Sequence, residues 1–314
     1  MKKIVTNIIV IFCFFSILFF GSCGKNAVMV RFVQDGQKDI VKSVKVGETI
    51  NSIPDPVQTD DGFIYEWNYD FEKPVNENST ITTIHYTKGL EFIFNKKRKT
   101  FSATVYNGTD TAVYFPDYYK GYSVDEIGQY ILSAKSNVTF VKLPKNLITI
   151  GEKAFYHCKG LTQIDIPETV TRIDAFAFDN CSLSSINLPS GLTEITKRSL
   201  SNNKLKNLVI PEGVVRLGSF SLPNRYLEYI VLPKSLKKMD DGSIWGSRMD
   251  IYYCGTKDDW DLIDIFDEVT TENHGVTVKA LLDSLNVYFY SKEEPQEKGN
   301  YWRYVGDNIV RWTF

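Results

Sequence analysis

Residues able to do chemistry are few and dispersed in this 314-residue chain. The three histidines, His85, His157 and His274, lie far apart, and none has an acidic or thiol partner at ligand spacing. His157 adjoins Cys158, but neighbours on an extended strand point to opposite faces and do not make a nucleophile–base pair. The carboxylate pairs Asp240-Asp241 and Asp258-Asp259 sit at expected turns or a helix start, where acids meet backbone donors and the helix dipole. No C-x-x-C, G-x-S-x-G, H-E-x-x-H or phosphate-cradling glycine loop occurs, so neither a metal site nor a cofactor is expected. A formal charge of −2, from 36 basic and 38 acidic residues, argues against a nucleic-acid partner. At 43% apolar residues the chain can bury a core, which excludes global disorder.

The remaining candidates are binding residues. Tyr118, Tyr119 and Tyr122 form an aromatic group on an expected loop, read either as a ligand platform or as packing. The run Asn95-Lys-Lys-Arg-Lys99 at a hairpin turn is a solvated charge cluster or a contact for anionic lipid or a polyanion. Late in the chain Tyr288, Tyr290, Tyr301, Trp302, Tyr304 and Trp312 suit either a cap over apolar residues or stacking on sugar rings.

These residues hang on a repeat. Pro144, Pro167, Pro189, Pro211 and Pro233 recur every 22 or 23 residues, each after an aliphatic residue. In register follow Ile150, Ile173, Ile195, Leu217 and Met239, then the pairs Ala154-Phe155, Ala177-Phe178, Ser199-Leu200, Ser221-Leu222 and Ser243-Ile244. Leu161, Leu183, Leu205, Leu227 and Met249 close each unit, and a degenerate earlier copy starts at Phe115-Pro116. In Leu161-Thr-Gln-Ile164-Asp-Ile166-Pro167 two isoleucines alternate with polar residues, which predicts a short strand that the proline ends. One such unit buries nothing alone; stacking creates a continuous core. The fold class expected is mainly β, a solenoid of about six coils. Cys158, Cys181 and Asn203 then share one column. Stacking would place the cysteine Cα atoms about 4.8 Å apart, which permits a disulfide, but would hold the Cβ atoms about as far apart where a bridge wants roughly 3.8 Å; buried thiols are expected, with a Cys158–Cys181 disulfide as the other reading. Asn203 is expected to bond to turn backbone in its own layer.

The pattern Leu-x-x-Ile-x-Ile-Pro-x-x-Val-x-x-Ile-x-x-x-Ala-Phe-x-x-Cys, from Leu161 to Cys181, resembles the BspA-like (type 5) bacterial leucine-rich repeat, and residues 113–250 fit it. The resemblance implies a secreted or surface-attached protein, with adhesion or host binding among the roles of such proteins. Ala-Phe becomes Ser-Leu and Ser-Ile toward the end of the array, a departure from the pattern. Upstream, Val46-Gly-Glu-Thr-Ile50, Pro54-Asp-Pro56, Gly62–Trp67 and Lys73-Pro-Val75 resemble an internalin B-type B-repeat, which implies a small β-grasp-like module with Trp67 and Phe71 in its core.

Lys2 and Lys3, the apolar run Ile8–Phe20 and Gly21-Ser22-Cys23 resemble the lipobox of bacterial lipoproteins, which implies acylation of Cys23. Phe20 departs from the aliphatic residue usual there; an ordinary secretory signal and an uncleaved anchor are the other readings. The expected domains are 1–22 signal peptide, 23–87 β-grasp-like module, 88–250 leucine-rich-repeat solenoid with leading hairpin, and 251–314 aromatic-rich C-terminal cap. A short helix around Trp260–Phe266, entered near Thr256, is expected in the cap. The function expected is that of a non-catalytic monomer, lipid-anchored to a membrane of the bacterial envelope (outer membrane or cell surface). It would bind an external protein or glycan through its repeat surface. A structural or assembly role in the envelope is the alternative. A glycan-processing enzyme would need two carboxylates roughly 5 to 9 Å apart in a cleft.

Overall fold

The fold is that of a computed structural model describing residues 26–222, 225–245, 249–268 and 277–313. The signal-like segment, Cys23 and His274 lie outside the described residues. The chain divides into two compact units, Met1–Pro54 with Phe71–Ile81, and Asp55–Asp70 with Thr82–Phe314.

In the first unit Ala27–Val33 and Ile40–Lys45 pair antiparallel, from Ala27 opposite Lys45 to Phe32 opposite Ile40. Alternation along Ala27–Val33 buries Val28, Val30 and Phe32. Ile50, Val75 and Ile81 are buried as well, and Phe71 stacks on Phe32 with ring centroids 6.4 Å apart. Backbone bonds from Gly47 N to Val75 O and from Val75 N to Glu48 O, both 2.9 Å, tie the two segments of this unit together. Trp67, expected in the same core as Phe71, is buried and falls in the second unit.

The second unit is mainly β, with two short helices among the described residues, Lys257–Asp261 and Val278–Asp283. Leu90–Asn95 and Thr100–Tyr106 form the expected hairpin, and Thr100–Tyr106 pairs in parallel with Tyr122–Ile127. From there repeats pair in parallel and in register, in two runs. Ile127 lies opposite Ile150, and Ile150 opposite Ile173. Further on Ile195, Leu217, Met239 and Ile265 form a second parallel, in-register run, the strand pairing being interrupted between Ile173 and Ile195. On another side Leu208, Ile230, Ile251 and Val287 are partners in a parallel sheet that runs on through Tyr301–Val305 to the antiparallel strand Asn308–Arg311. All four residues of the column Ile164, Ile186, Leu208 and Ile230 are buried in one apolar core extending from Tyr86 to Leu282.

A third side is held by a backbone pattern that the sequence does not announce. N–H groups of Tyr130, Leu132 and Ala134 donate to the carbonyls of Glu152, Ala154 and Tyr156, and those of Lys153, Phe155 and His157 donate to Ala175, Ala177 and Asp179. The next repeats continue the pattern through Phe176, Phe178 and Asn180, then Arg198 and Leu200, then Phe220 and Leu222. The geometry needs a left-handed residue at each step, with φ of 60° at Tyr130, 54° at Lys153, 60° at Phe176, 54° at Arg198, 53° at Phe220 and 57° at Gly242. Their side chains alternate aromatic and cationic. Lys153 Nζ lies 5.1 Å from the Tyr130 ring centroid and 5.0 Å from that of Phe176, and Arg198 lies 5.8 and 5.2 Å from those of Phe176 and Phe220.

Gly242 ends this row because the Phe220 ring occupies its side-chain space: a Cβ there would sit 2.4 Å from Phe220 Cε1. Gly242→Ala is therefore expected to lower stability by about 2 kcal/mol, read from urea unfolding, as overpacking does. An unchanged midpoint would show that the ring is free to move away.

Two expectations are corrected. The strand predicted at Leu161–Ile166 is absent, although Ile164 and Ile166 are buried and Asp165 between them is exposed. Residues 184–188 carry no ladder either, whereas Phe140–Lys142, Asn207–Val209 and Tyr229–Leu232 do. The outward residues contribute to this: Gln163, Asp165, Ser185 and Asn187 in the former, against Phe140 with Lys142, Asn207 with Val209, and Tyr229 with Val231 in the latter. Asp and Asn disfavour the pleated conformation that Val and aromatic residues fit. The helix expected over Trp260–Phe266 instead spans Lys257–Asp261, entered at Thr256 through a reciprocal capping box with Asp259. It stops early because Asp264–Ile265 extends the parallel column beside Lys238–Met239.

Candidate functional site

The three tyrosines singled out from the sequence do not share one face. Tyr118–Tyr119 pairs antiparallel with the start of Tyr122–Ile127. Tyr119 stacks on Phe92 at 4.4 Å and meets Phe101 edge-on at 4.9 Å, and burial raises the pKa of its phenol. Tyr122 donates its hydroxyl to Asp70 Oδ2 at 2.7 Å and packs on Phe94. Tyr118, pointing the other way along the strand, is 41% exposed. In the basic turn Arg98 reaches Asp125 and Glu126, joining the hairpin to the first repeat.

Cys158 and Cys181 are buried free thiols. Each donates Sγ–H to a carbonyl of the preceding repeat at 3.0 Å, Cys158 to Leu132 and Cys181 to Phe155. Burial pushes the Cys158 thiol up to about 12 and that of Cys181 well above its ordinary value, so neither supplies a thiolate nucleophile at neutral pH. His157 packs its ring on Tyr156 and meets the Asn180 amide at 3.0 Å. Among the described residues no group of three or more His, Cys, Asp or Glu side chains is placed to hold a metal ion.

Asn203 bonds more widely than expected. Its Nδ2 donates to Leu200 O and Ser201 O in its own layer, but also to Phe178 O at 2.9 Å in the preceding one. Its Oδ1 accepts from Leu183 N at 3.1 Å. Chain length is the reason. Leu161 follows Cys158 by three residues and donates to Cys158 O in its own turn, whereas Leu183 follows Cys181 by only two. The shortened turn strands the Leu183 N–H, and the amide of the next repeat takes it.

This turn side also carries a groove of about 870 Å³, a size suited to small-molecule sites, lined in part by Lys159, Asn180, Asn202, Lys204, Tyr226 and Trp245. The column Lys159, Ser182, Lys204 and Tyr226 keeps the 23- and 22-residue spacing, so register alone could have found it. His157, Asn180 and Asn202 hold φ of 59°, 57° and 56°, a conformation asparagine tolerates well. Beneath them lies Asp179, 4% exposed, which accepts from Asn202 Nδ2 at 2.9 Å.

Burial raises the Asp179 pKa above its ordinary value, outweighing the Asn202 hydrogen bond and the nearby Arg198 and His157. The folded chain therefore holds this proton more tightly than the unfolded one. Stability from this group is full below the unfolded value and is lost as pH rises through the folded one. Asp179→Asn is expected to melt above the parent at pH 7, with the gap closing toward pH 3. A gap independent of pH would mean that the carboxyl does not titrate differently on folding.

No helix among the described residues is long and apolar enough to cross a membrane. No curated protein matches the chain in sequence. A leucine-rich repeat protein of T. pallidum aligns at 24% identity over 54% of this chain and 85% of its own, with a TM-score of 0.45. A leucine rich cell surface protein of Faecalibacterium prausnitzii aligns at 26% identity over 52% of this chain and 47% of its own, with a TM-score of 0.47. A leucine-rich repeat protein of Bacteroides ovatus aligns at 28% identity over 53% and 48%, also with a TM-score of 0.47. The chain spans about half the length of the latter two. The repeats themselves carry the resemblance: residues 125–249 match the BspA type leucine rich repeat region, in six copies.

Proposed function

We propose that this chain is a non-catalytic protein of the bacterial cell envelope, anchored by lipid at Cys23, that binds an external protein or glycan through its repeat surface. The repeats would form a solenoid capped by residues 251–314, and residues 23–87 would form a separate small β module. The observation that carries the reading is the parallel, in-register pairing of successive repeats. It places side chains 22 or 23 residues apart in rows on a rigid surface, which lowers the ordering cost of binding. The match to BspA type repeats over residues 125–249 supports a binding role in place of a catalytic one.

On an array of host proteins and glycans the whole chain should bind saturably, and a chain lacking residues 113–250 should not. Uniformly blank arrays, with crosslinking in intact cells that captures only endogenous envelope proteins, would replace this reading by the assembly role. Cys23→Ser should abolish incorporation of labelled palmitate and move the protein from the membrane fraction to the soluble one. Retention of both label and fractionation would exclude Cys23 as the anchor.

A further inference from the structure

The groove on the turn side has a composition that the repeat architecture does not require. Left-handed turns account for asparagine at 180 and 202. They do not account for Lys159, Lys204 and Arg225 converging on one concavity together with Tyr226 and Trp245. No carboxylate lines it among the described residues, and neither the Lys159 nor the Lys204 ammonium has a carboxylate partner among them. The chain as a whole carries −2, so this is a local concentration of positive charge, not a general one.

The amides add a second element. Asn180 is held through its nitrogen by His157 at 3.0 Å, and Asn202 through its nitrogen by Asp179 at 2.9 Å. Each amide is thus oriented from within the fold, and its Oδ1, to which no described residue donates, is left as an acceptor for an incoming hydroxyl. The third element is aromatic: Tyr226 is 50% exposed, and Trp245 lines the same groove. Cations attract a carboxylate or sulfate, oriented carbonyl oxygens accept from hydroxyl groups, and aromatic faces cover the C–H surface of a ring. An acidic peptide satisfies the first of these and lacks the hydroxyls for the second.

We infer that this groove binds an acidic oligosaccharide, its carboxylate or sulfate held by Lys159, Lys204 and Arg225 and its hydroxyls by Asn180 and Asn202. The inference rests on the binding role proposed above and names the ligand class and the place on the repeat surface.

Calorimetric titration of the whole chain tests it with four probes: tri-galacturonic acid, its neutral methyl ester, hyaluronan tetrasaccharide and 3′-sialyllactose, with hexaglutamate as the peptide control. At least one acidic sugar should bind with Kd below about 1 mM. The double variant Lys204→Gln/Arg225→Gln should weaken that binding about tenfold or more, and 0.5 M salt should weaken it further. Asn202→Gly, which keeps the left-handed turn, should weaken sugar binding and leave any hexaglutamate binding unchanged. Thermal melts of the variants verify that all remain folded. No acidic sugar binding, sugar binding indifferent to the double variant, or hexaglutamate binding as tight as the best sugar would each overturn the assignment. The array separates this from the broader reading. Repeat-dependent binding that persists in the double variant sinks the groove alone, whereas a parent chain without repeat-dependent binding sinks the general role.

Discussion

Phe178→Ala is expected to lower the unfolding free energy by about 4 kcal/mol, the largest single effect anticipated in this chain. The side chain is fully buried and stacks on Phe155 with ring centroids 5.1 Å apart and planes 2° from parallel. Leu200 of the following repeat is buried in the same core. Each repeat contacts only its neighbours, so a hole at this position weakens two interfaces at once, with no remote contact to compensate. The void also forfeits dispersion contacts that surrounding side chains recover only by shifting. Phe178→Leu should cost far less, because leucine already serves the same column at Leu200 and Leu222. Urea unfolding followed by circular dichroism measures both. A loss below about 1 kcal/mol for the alanine variant would show that the phenylalanine column does not carry the packing of the array.

Asn203→Leu should follow closely, at about 3 kcal/mol, for a polar reason. The change removes a side chain that satisfies Leu183 N and the carbonyls of Phe178, Leu200 and Ser201 in a buried layer. Leaving buried backbone groups without partners costs more than the hydrogen bonds were worth. Asn203→Cys makes the sharper test, because it continues the column of Cys158 and Cys181. A thiol at this position can donate to Phe178 O, as Cys181 Sγ does to Phe155 O, but it offers nothing to Leu183 N. The cysteine variant should therefore recover about half of the loss. Full recovery would mean that the Leu183 N–H is satisfied without Asn203, and the link between coil length and residue type would fall.

Much of the second unit was legible before any coordinates. The column Ile127, Ile150, Ile173 and the column Ile195, Leu217, Met239 are paired in register as their spacing requires. The thiols of Cys158 and Cys181 lie buried and unbridged, as Cβ separation argued. The capping residue Thr256 was legible from its local chemistry, though the helix end was not, because the strand Asp264–Ile265 competes for the same residues. The tyrosines at 118, 119 and 122, close in sequence, divide between core and surface along a strand, a division that their order does not announce.

Apolar spacing by itself determined the stacked architecture of residues 125–249, because in a repeat array a fixed interval along the chain becomes adjacency in space, and burial rewards only the residues that recur at it. Tertiary structure alone decided where the amide of Asn203 reaches, and that Asn180, Asn202 and Trp245 border one groove with the column of Lys159 and Lys204. Those outcomes turn on a one-residue change in coil length and on the directions of individual polar side chains. Hydrogen bonds are short-ranged and directional, and a pattern of apolar intervals carries no record of either property.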